Sequence, residues 1–333
     1  METTLNISRR HLVRLTAVLV AVSGVDFAAA ETALLLDHAK VLVGFPPGGG
    51  TDVSARRVAE GLRGSYARST LVENKPGASG RLVVDEVRRG TVDGSVILVQ
   101  PDAVMTQQPH VDPRNTLFRF EDLTPVASVG LIRHALAVGP MVPESVRNLR
   151  DLIAWAKANP KSASYGSPGA NSSQDFLMKV AMKHHGFELT HIPYKGSAPG
   201  VQDLIAGQVA VMISPVGDSL PHLSTGKMRI IGTSGAQRSM FAPDVPTFNE
   251  QGFQGMELTE RFGIWVKTGV PEATMDRLHG AAQKVLGQQE LIDFFAKAGI
   301  EADPISRRAF AKAARDSYDA WAERVRATGY KPE

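Results

Sequence analysis

Residues 43–57 read VGFPPGGGTDVSARR. An apolar strand ends on Pro46-Pro47, three glycines follow, and a helical pattern resumes at Thr51. Ala55, Val58, Ala59 and Leu62 then recur at i, i+3, i+4 and i+7, while Arg56, Arg57, Glu60 and Arg63 face outward. A strand feeding a helix through a tight turn is the building unit of an α/β fold. In open α/β sheets such turns border the ligand crevice. Glycines let backbone N–H groups come close to a ligand, and the first turn of a helix offers unpaired N–H groups that favour an anion. The phosphate signatures do not fit, because Gly50 is followed by Thr51-Asp52 without a lysine and G-x-G-x-x-G also fails. A carboxylate carries one charge and can be held by N–H groups alone. The same residues also suit a tight turn with nothing bound. Asp52 either caps its own helix or faces a ligand.

The pattern repeats along the chain. Short β-branched runs occur at 40–45, 69–74, 95–100, 135–139, 162–166, 189–194, 209–214 and 228–234. Helical stripes lie between them; in SSQDFLMKVAMKHHG, Phe176, Leu177, Val180 and Ala181 share a face and Gly186 supplies a stop. This succession predicts α/β architecture with mostly parallel sheets. A mature chain of roughly 300 residues suits two such domains. From Pro271 onward the pattern is mainly helical.

Three more turns expose backbone or polar groups at helix starts. ENKPGASGRL (73–82) places Ala78, Ser79 and Gly80 after a Pro-Gly turn. YGSPGANSSQDF (165–176) crowds Ser167, Asn171, Ser172 and Ser173 at one helix start, more than a cap needs, with Ser172 and Asp175 spaced as a capping box. IPYKGSAPGVQDLIAGQV (192–209) puts Tyr194 and Lys195 at a strand end, followed by Ser197 and Pro199 in a first turn.

Composition bounds the alternatives. The 333 residues are 43% hydrophobic and 21% charged, with a net charge of +3 and no run of five like charges, so a nucleic-acid footprint is not supported. SRRHLVR (8–14), the apolar LTAVLVAVSGV (15–25) and AAA at 28–30 form a signal-peptide pattern over residues 1–30. Ser8-Arg9-Arg10 with Leu12 also resembles a twin-arginine signal. With no cysteine in the chain, an exported, periplasmic protein without oxidative folding is expected. G-x-S-x-G, H-E-x-x-H and EF-hand signatures are absent, and no catalytic constellation or cofactor site is expected. His184-His185 sits beside Lys183 in a last helical turn, where cations meet the helix dipole, and His134, His191 and His222 lack metal-ligand spacing, so no metal site is expected.

The four turns in order, with APDVPTFNEQGF (242–253) and RFGIWVKTGVPEATMDRL (261–278), closely resemble the Bug-type extracytoplasmic solute receptors of tripartite tricarboxylate transporters. The resemblance covers essentially the whole mature chain. It implies an α/β, two-lobed periplasmic binding-protein type II fold with two hinge crossovers: lobe one at residues 31–133 plus 262–333, and lobe two at 134–261. It further implies a monomer that captures a small carboxylate and delivers it to integral membrane permease subunits. Carried over residue by residue, it places Phe45, Pro47, Gly49, Thr51, Asp52, Ala78 and Ser79 around one carboxylate, and Ser167, Asn171, Ser172 and Tyr194 around the rest of the ligand. A ligand sensor for a membrane signalling partner, or an exported α/β hydrolase, are the alternatives. Three departures stand out. Asp175 replaces a frequent His, and either faces inward or completes the capping box. Ser214-Pro215 stands where the family often has Asp. Arg261 replaces a usual aromatic residue, and either pairs with a distal carboxylate in the cleft or lies at the surface beside Glu260.

Overall fold

The computed structural model describes residues 35–331. The export segment read at residues 1–30 lies outside the described residues. Strand β1 (Leu36–Val43) leads into helix α1 (Gly50–Leu62), and β2 (Ala67–Asn74) leads through a 3₁₀ turn at Ala78–Gly80 into α2 (Arg81–Arg89). Strand β3 (Val96–Pro101) is followed by two short helices, α3 (Ala103–Thr106) and α4 (Gln108–Val111). These strands pair in parallel in the order β2-β1-β3. Helix α1 buries Ala55, Val58, Ala59 and Leu62, the stripe read from the sequence. Full burial of a Val or Leu side chain is worth about 1.5–3 kcal/mol, so this stripe fixes the helix, and hence its N-terminus, on the sheet.

Strand β4 (Leu123–Val138) is 16 residues long and serves two sheets. Beyond it lie α5 (Leu149–Ala158), β5 (Ser164–Ser167), α6 (Ser173–His185), β6 (Thr190–Pro193), α7 (Ser197–Ile205), β7 (Val211–Pro215), α8 (Val216–Leu223) and β8 (Arg229–Thr233). Strand β9 (Thr259–Lys267) returns to the first sheet, followed by α9 (Glu272–Leu286), α10 (Gln289–Lys297) and α11 (Arg307–Ala327). Residues Leu123–Arg133 of β4 pair antiparallel with β9, whose other edge pairs antiparallel with β3. Residues His134–Val138 pair antiparallel with β7 and β8, and β7, β5 and β6 run parallel. The architecture is therefore α/β, but mixed where mostly parallel sheets were expected. The two long strands that carry the chain between the sheets enter antiparallel to their neighbours. Thr259, Glu260 and Arg261, placed by the resemblance in the second lobe, pair with Arg133, Ile132 and Leu131 in the first sheet.

One core gathers Val41, Val58, Leu62, Ile97 and Ile264, while another gathers Leu136, Tyr165, Phe176, Leu177 and Ile213. Helix α11 spans both sides of the molecule. Its Phe310 and Ala314 pack with Trp265 and Val83, and its Trp321 and Val325 join the core around Phe176. At 21 residues it is about 31 Å long, enough to reach across the join. Strands β4 and β9 and helix α11 thus tie the two sheets together at the back.

A tight backbone contact closes this back edge. Gly217 in α8 lies against the Ala298–Gly299 backbone, and a Cβ on Gly217 would collide with the Ala298 carbonyl. Gly299 itself adopts φ +67. Overpacking of this kind costs about 1–3 kcal/mol. Gly217→Ala is therefore expected to lower the melting temperature by a few degrees, read by differential scanning calorimetry; an unchanged transition would show that the two backbones separate without cost.

Candidate ligand-binding site

Helix starts from both sheets converge on one cavity of about 80 Å³. One water needs roughly 10–15 Å³ on this measure, so the space holds a compact molecule of a few heavy atoms. Its first wall is the turn before α1, with Phe45, Pro46, Pro47, Gly49, Gly50 and Thr51. Its second is the turns of the other sheet: Ser172–Gln174 at the start of α6, Gly196–Pro199 at the start of α7, and Pro215 and Asp218 at the start of α8. Ile132 of β4 and Glu260 and Phe262 of β9 line it at the crossover. Among the described residues no N-cap side chain caps α1 or α7, so the first N–H groups of these helices remain available.

The glycine turn is braced from behind. The Asp52 carboxylate accepts from Gly48 N–H at 2.9 Å, Arg56 Nε at 3.0 Å and Asn74 Nδ2 at 2.8 Å. Burial would raise its pKa, but these hydrogen bonds and the Arg56 charge outweigh that and hold it below the usual value. Asp52 is therefore spent on the turn and does not line the cavity. The Pro-Gly turn packs directly on the first turn: a Cβ on Gly44 would lie 2.8 Å from Gly80 Cα. Only glycine at these places lets the two backbones touch.

The cavity is closed at its front by contacts between the sheets. Ser79 Oγ donates to the Ala170 carbonyl at 2.8 Å. Gln107 and Gln108 both donate through Nε2 to the Asn171 carbonyl, at 3.2 and 2.8 Å. Asn171 Nδ2 reaches Asp112 Oδ2 at 3.3 Å, and Arg81 pairs with the same carboxylate at 2.6 Å. Ala78, Ser79 and Asn171 are the non-glycine residues with positive φ among the described residues, at 47, 55 and 58 degrees. All three stand at this seam. A left-handed conformation costs an L-residue roughly 1–2 kcal/mol, so the strain is concentrated where the lobes meet.

Of the residues singled out in the sequence, Phe45, Pro47, Gly49, Thr51, Ser79 and Ser172 line the cavity. The others do other work. Ala78 shapes the turn that presents Ser79. Ser167 Oγ donates to the Gly169 carbonyl and meets His191 Nε2 at 2.8 Å. Asn171 is a seam residue. Tyr194 turns its hydroxyl to Asp203 at 2.8 Å, and burial followed by that carboxylate pushes its pKa to about 12. Arg261 donates through Nε to Asp303 at 2.8 Å and faces away from the cavity, because Asp303 waits on the other side of β9. Asp175 accepts from Asn171 N–H at 2.7 Å and from Tyr165 Oη at 2.6 Å, while its own N–H is capped by Ser172; it serves its helix start. His185, read as a helix-end residue, packs its ring on Phe253. Among the described residues no three His, Cys, Asp or Glu side chains cluster to hold a metal.

Sequence reasoning missed Gln107, Gln174, Asp218 and Glu260 as cavity residues, and read Ser197, which also lines it, only as part of a helix's first turn. Gln174 Nε2 donates to His134 Nδ1 at 3.0 Å, which leaves His134 Nε2 facing Glu260 Oε2 at 3.5 Å. Asp218 is pushed up to about 6 by burial, against the Ser197 hydroxyl and the His134 ring. Asp102, just behind the cavity wall, is pushed up to about 7 by burial and then by the Glu260 charge; the Arg261 N–H and guanidinium oppose this.

These shifts fix a sign. A carboxyl raised from its ordinary 3.8 keeps a proton in the folded state that the unfolded chain has released. Stability from Asp102 is complete below about pH 4 and is lost as pH rises towards about 7. His110, lowered by burial, acts in the opposite sense below its ordinary 6.5. The comparison of wild type with Asp102→Asn isolates the carboxyl. Thermal melts at pH 5 and pH 8 should show a smaller loss of stability with rising pH in Asp102→Asn, and equal slopes would refute the assignment.

Comparison with known proteins gives the chain its family. Residues 54–330 match the TctC model, described as the tripartite tricarboxylate transporter family receptor. The chain is 29% identical to Protein BugT of Bordetella pertussis over 328 residues, 96% of this chain and 99% of that one. It is similar in structure to the periplasmic binding protein BugD, with 25% identity and a TM-score of 0.81 over 89% of this chain and 98% of that one. It is also similar to R. palustris Rpa4515, solved with adipate, at 26% identity and a TM-score of 0.80 over 88% and 97%. Among the described residues no helix is long and apolar enough to cross a membrane. The chain belongs to the tripartite tricarboxylate transporter receptor family.

Proposed function

We propose that this receptor captures a small organic carboxylate between two lobes, residues 31–133 with 262–333 and residues 134–261, and hands it to integral membrane permease subunits from the periplasm. It works as a monomer and as a binding protein, not as an enzyme. The observation that carries this reading is the convergence of uncapped helix starts from both sheets on one small cavity. The N–H groups at Gly50 and Thr51 are unspent, because Asp52 braces the turn from behind. Helix dipoles and charge-assisted hydrogen bonds then favour a carboxylate over a neutral solute. Phe45, Pro47, Gly49, Thr51 and Ser79 stand at this end, and Ser172 faces them from the other sheet. Solved relatives support the class: the adipate-bound protein shares this fold.

Calorimetric titration with mono- and dicarboxylates of two to six carbons should give saturable binding to at least one acid and none to neutral sugars. Binding of a sugar without any acid would overturn the reading. The head-group site has its own test in Gly50. Gly49 is extended, at φ −80 and ψ 165, so proline is tolerated next to it at the first helical position. Gly50→Pro deletes one N–H, while Gly50→Ala keeps it and places its Cβ about 3.6 Å from Phe262. A hydrogen bond to a charged group contributes about 1.5–3 kcal/mol. Gly50→Pro should therefore weaken acid binding by at least tenfold, against about threefold or less for Gly50→Ala; equal affinities would remove the turn from the site.

A further inference from the structure

The cavity is polarised, and its second end is acidic. Its charged lining residues are Lys195, Asp218 and Glu260. Lys195 is exposed at the mouth, whereas Glu260 is 3% exposed and sits at the floor where β9 meets β4. Among the described residues, Glu260 Oε1 is buried without a hydrogen-bond partner. Its other oxygen meets His134 Nε2 at 3.5 Å. Gln174 directs this arrangement. Its Oε1 accepts from Ser173 and its Nε2 donates to His134 Nδ1, so the imidazole proton sits on the nitrogen towards Glu260. Asp218 reaches the cavity from α8, beside Ser197. A buried carboxylate oxygen with no donor is costly. A second carboxylate on a ligand would make that end worse, whereas an N–H-bearing cation would satisfy it.

Building on the carboxylate reading above, we propose that the Glu260–Asp218 end receives a cationic nitrogen, so that the ligand is a small zwitterionic aminocarboxylate and not a dicarboxylate. The ligand's carboxylate lies on the glycine turn and its ammonium donates to Glu260 Oε1 and to Asp218. Charge complementarity at both ends sets the specificity: unpaired like charges reject dicarboxylates, and the cation's hydrogen bonds select the zwitterion. Residues Glu260 and Asp218 are specificity determinants in this account, separate from the head-group turn.

Four probes of equal carbon count decide the matter by calorimetry on the purified protein: butanoate, butanedioate, 4-aminobutanoate and L-2-aminobutanoate. In wild type, one of the two aminobutanoates should bind at least tenfold more tightly than butanoate and butanedioate. In Glu260→Gln, this advantage should shrink to about threefold or less, and Asp218→Asn should shrink it in the same sense. Two independent variants guard against one that fails to fold, and melting curves identify such a failure. Butanedioate binding as well as or better than both amino acids overturns this inference and leaves the carboxylate reading intact. The same holds if both folded variants keep the wild-type ratio. Failure of all four probes, with no binding across the two-to-six-carbon acids, overturns both readings together.

Discussion

Strand β4 is continuous through both sheets: its eleven residues Leu123–Arg133 run against β9, while the five from His134 to Val138 pair with β7 and the last four of these also with β8. A strand cannot turn aside without losing its ladder hydrogen bonds, so this continuity sets the relative placement of every helix start around the cavity. The parallel strands β1, β3, β5 and β7 all end near this line. Their following helices must therefore begin there, with N-termini pointing inward. The anion-ready cavity is a consequence of topology before any side chain is considered. The side chains then decide which anion, and what else it must carry.

Different contacts join the two sheets at the back and at the front. At the back, β4, β9 and α11 cross between the sheets and the Gly217–Gly299 backbones touch. At the front, the seam is made of separable hydrogen bonds: Ser79 to Ala170, Gln107 and Gln108 to Asn171, and Asn171 to Asp112. The left-handed residues Ala78, Ser79 and Asn171 lie on that separable side.

Much of this was legible in the sequence because glycine and proline punctuate it. The turns at 46–50, 76–80 and 168–172 are where strands end and helices begin, and the apolar stripes of α1 and α6 are the buried ones. The crossover stretch of β4 before His134 was not legible, although its end at 135–138 was read as part of a strand. In TPVASVGLIRH (124–134), small and charged residues break the β-branched signal, and a strand buried on both faces loses its alternation. The missed site residues share one cause. Asp218 and Gln174 look like ordinary first-turn helix residues, and Glu260 looks like a surface partner of Arg261. Arg261 instead pairs with Asp303, 42 residues away, and that leaves Glu260 facing inward. Tyr194 and Ser167 were similarly diverted, to Asp203 and Gly169. Side-chain direction at a strand end depends on such distant partners, which local spacing does not encode.

The chain's fold and family agree with a receptor, and the polarity of the cleft is the basis of the ligand orientation proposed above. The most direct measurement is a crystal structure of the protein with its bound acid. The account predicts the carboxylate within hydrogen-bond distance, about 3 Å, of the N–H groups at the start of α1, enclosed by the turns before α6 and α7. A carboxylate seated instead on Lys195 at the mouth, with the glycine turn untouched, would contradict it.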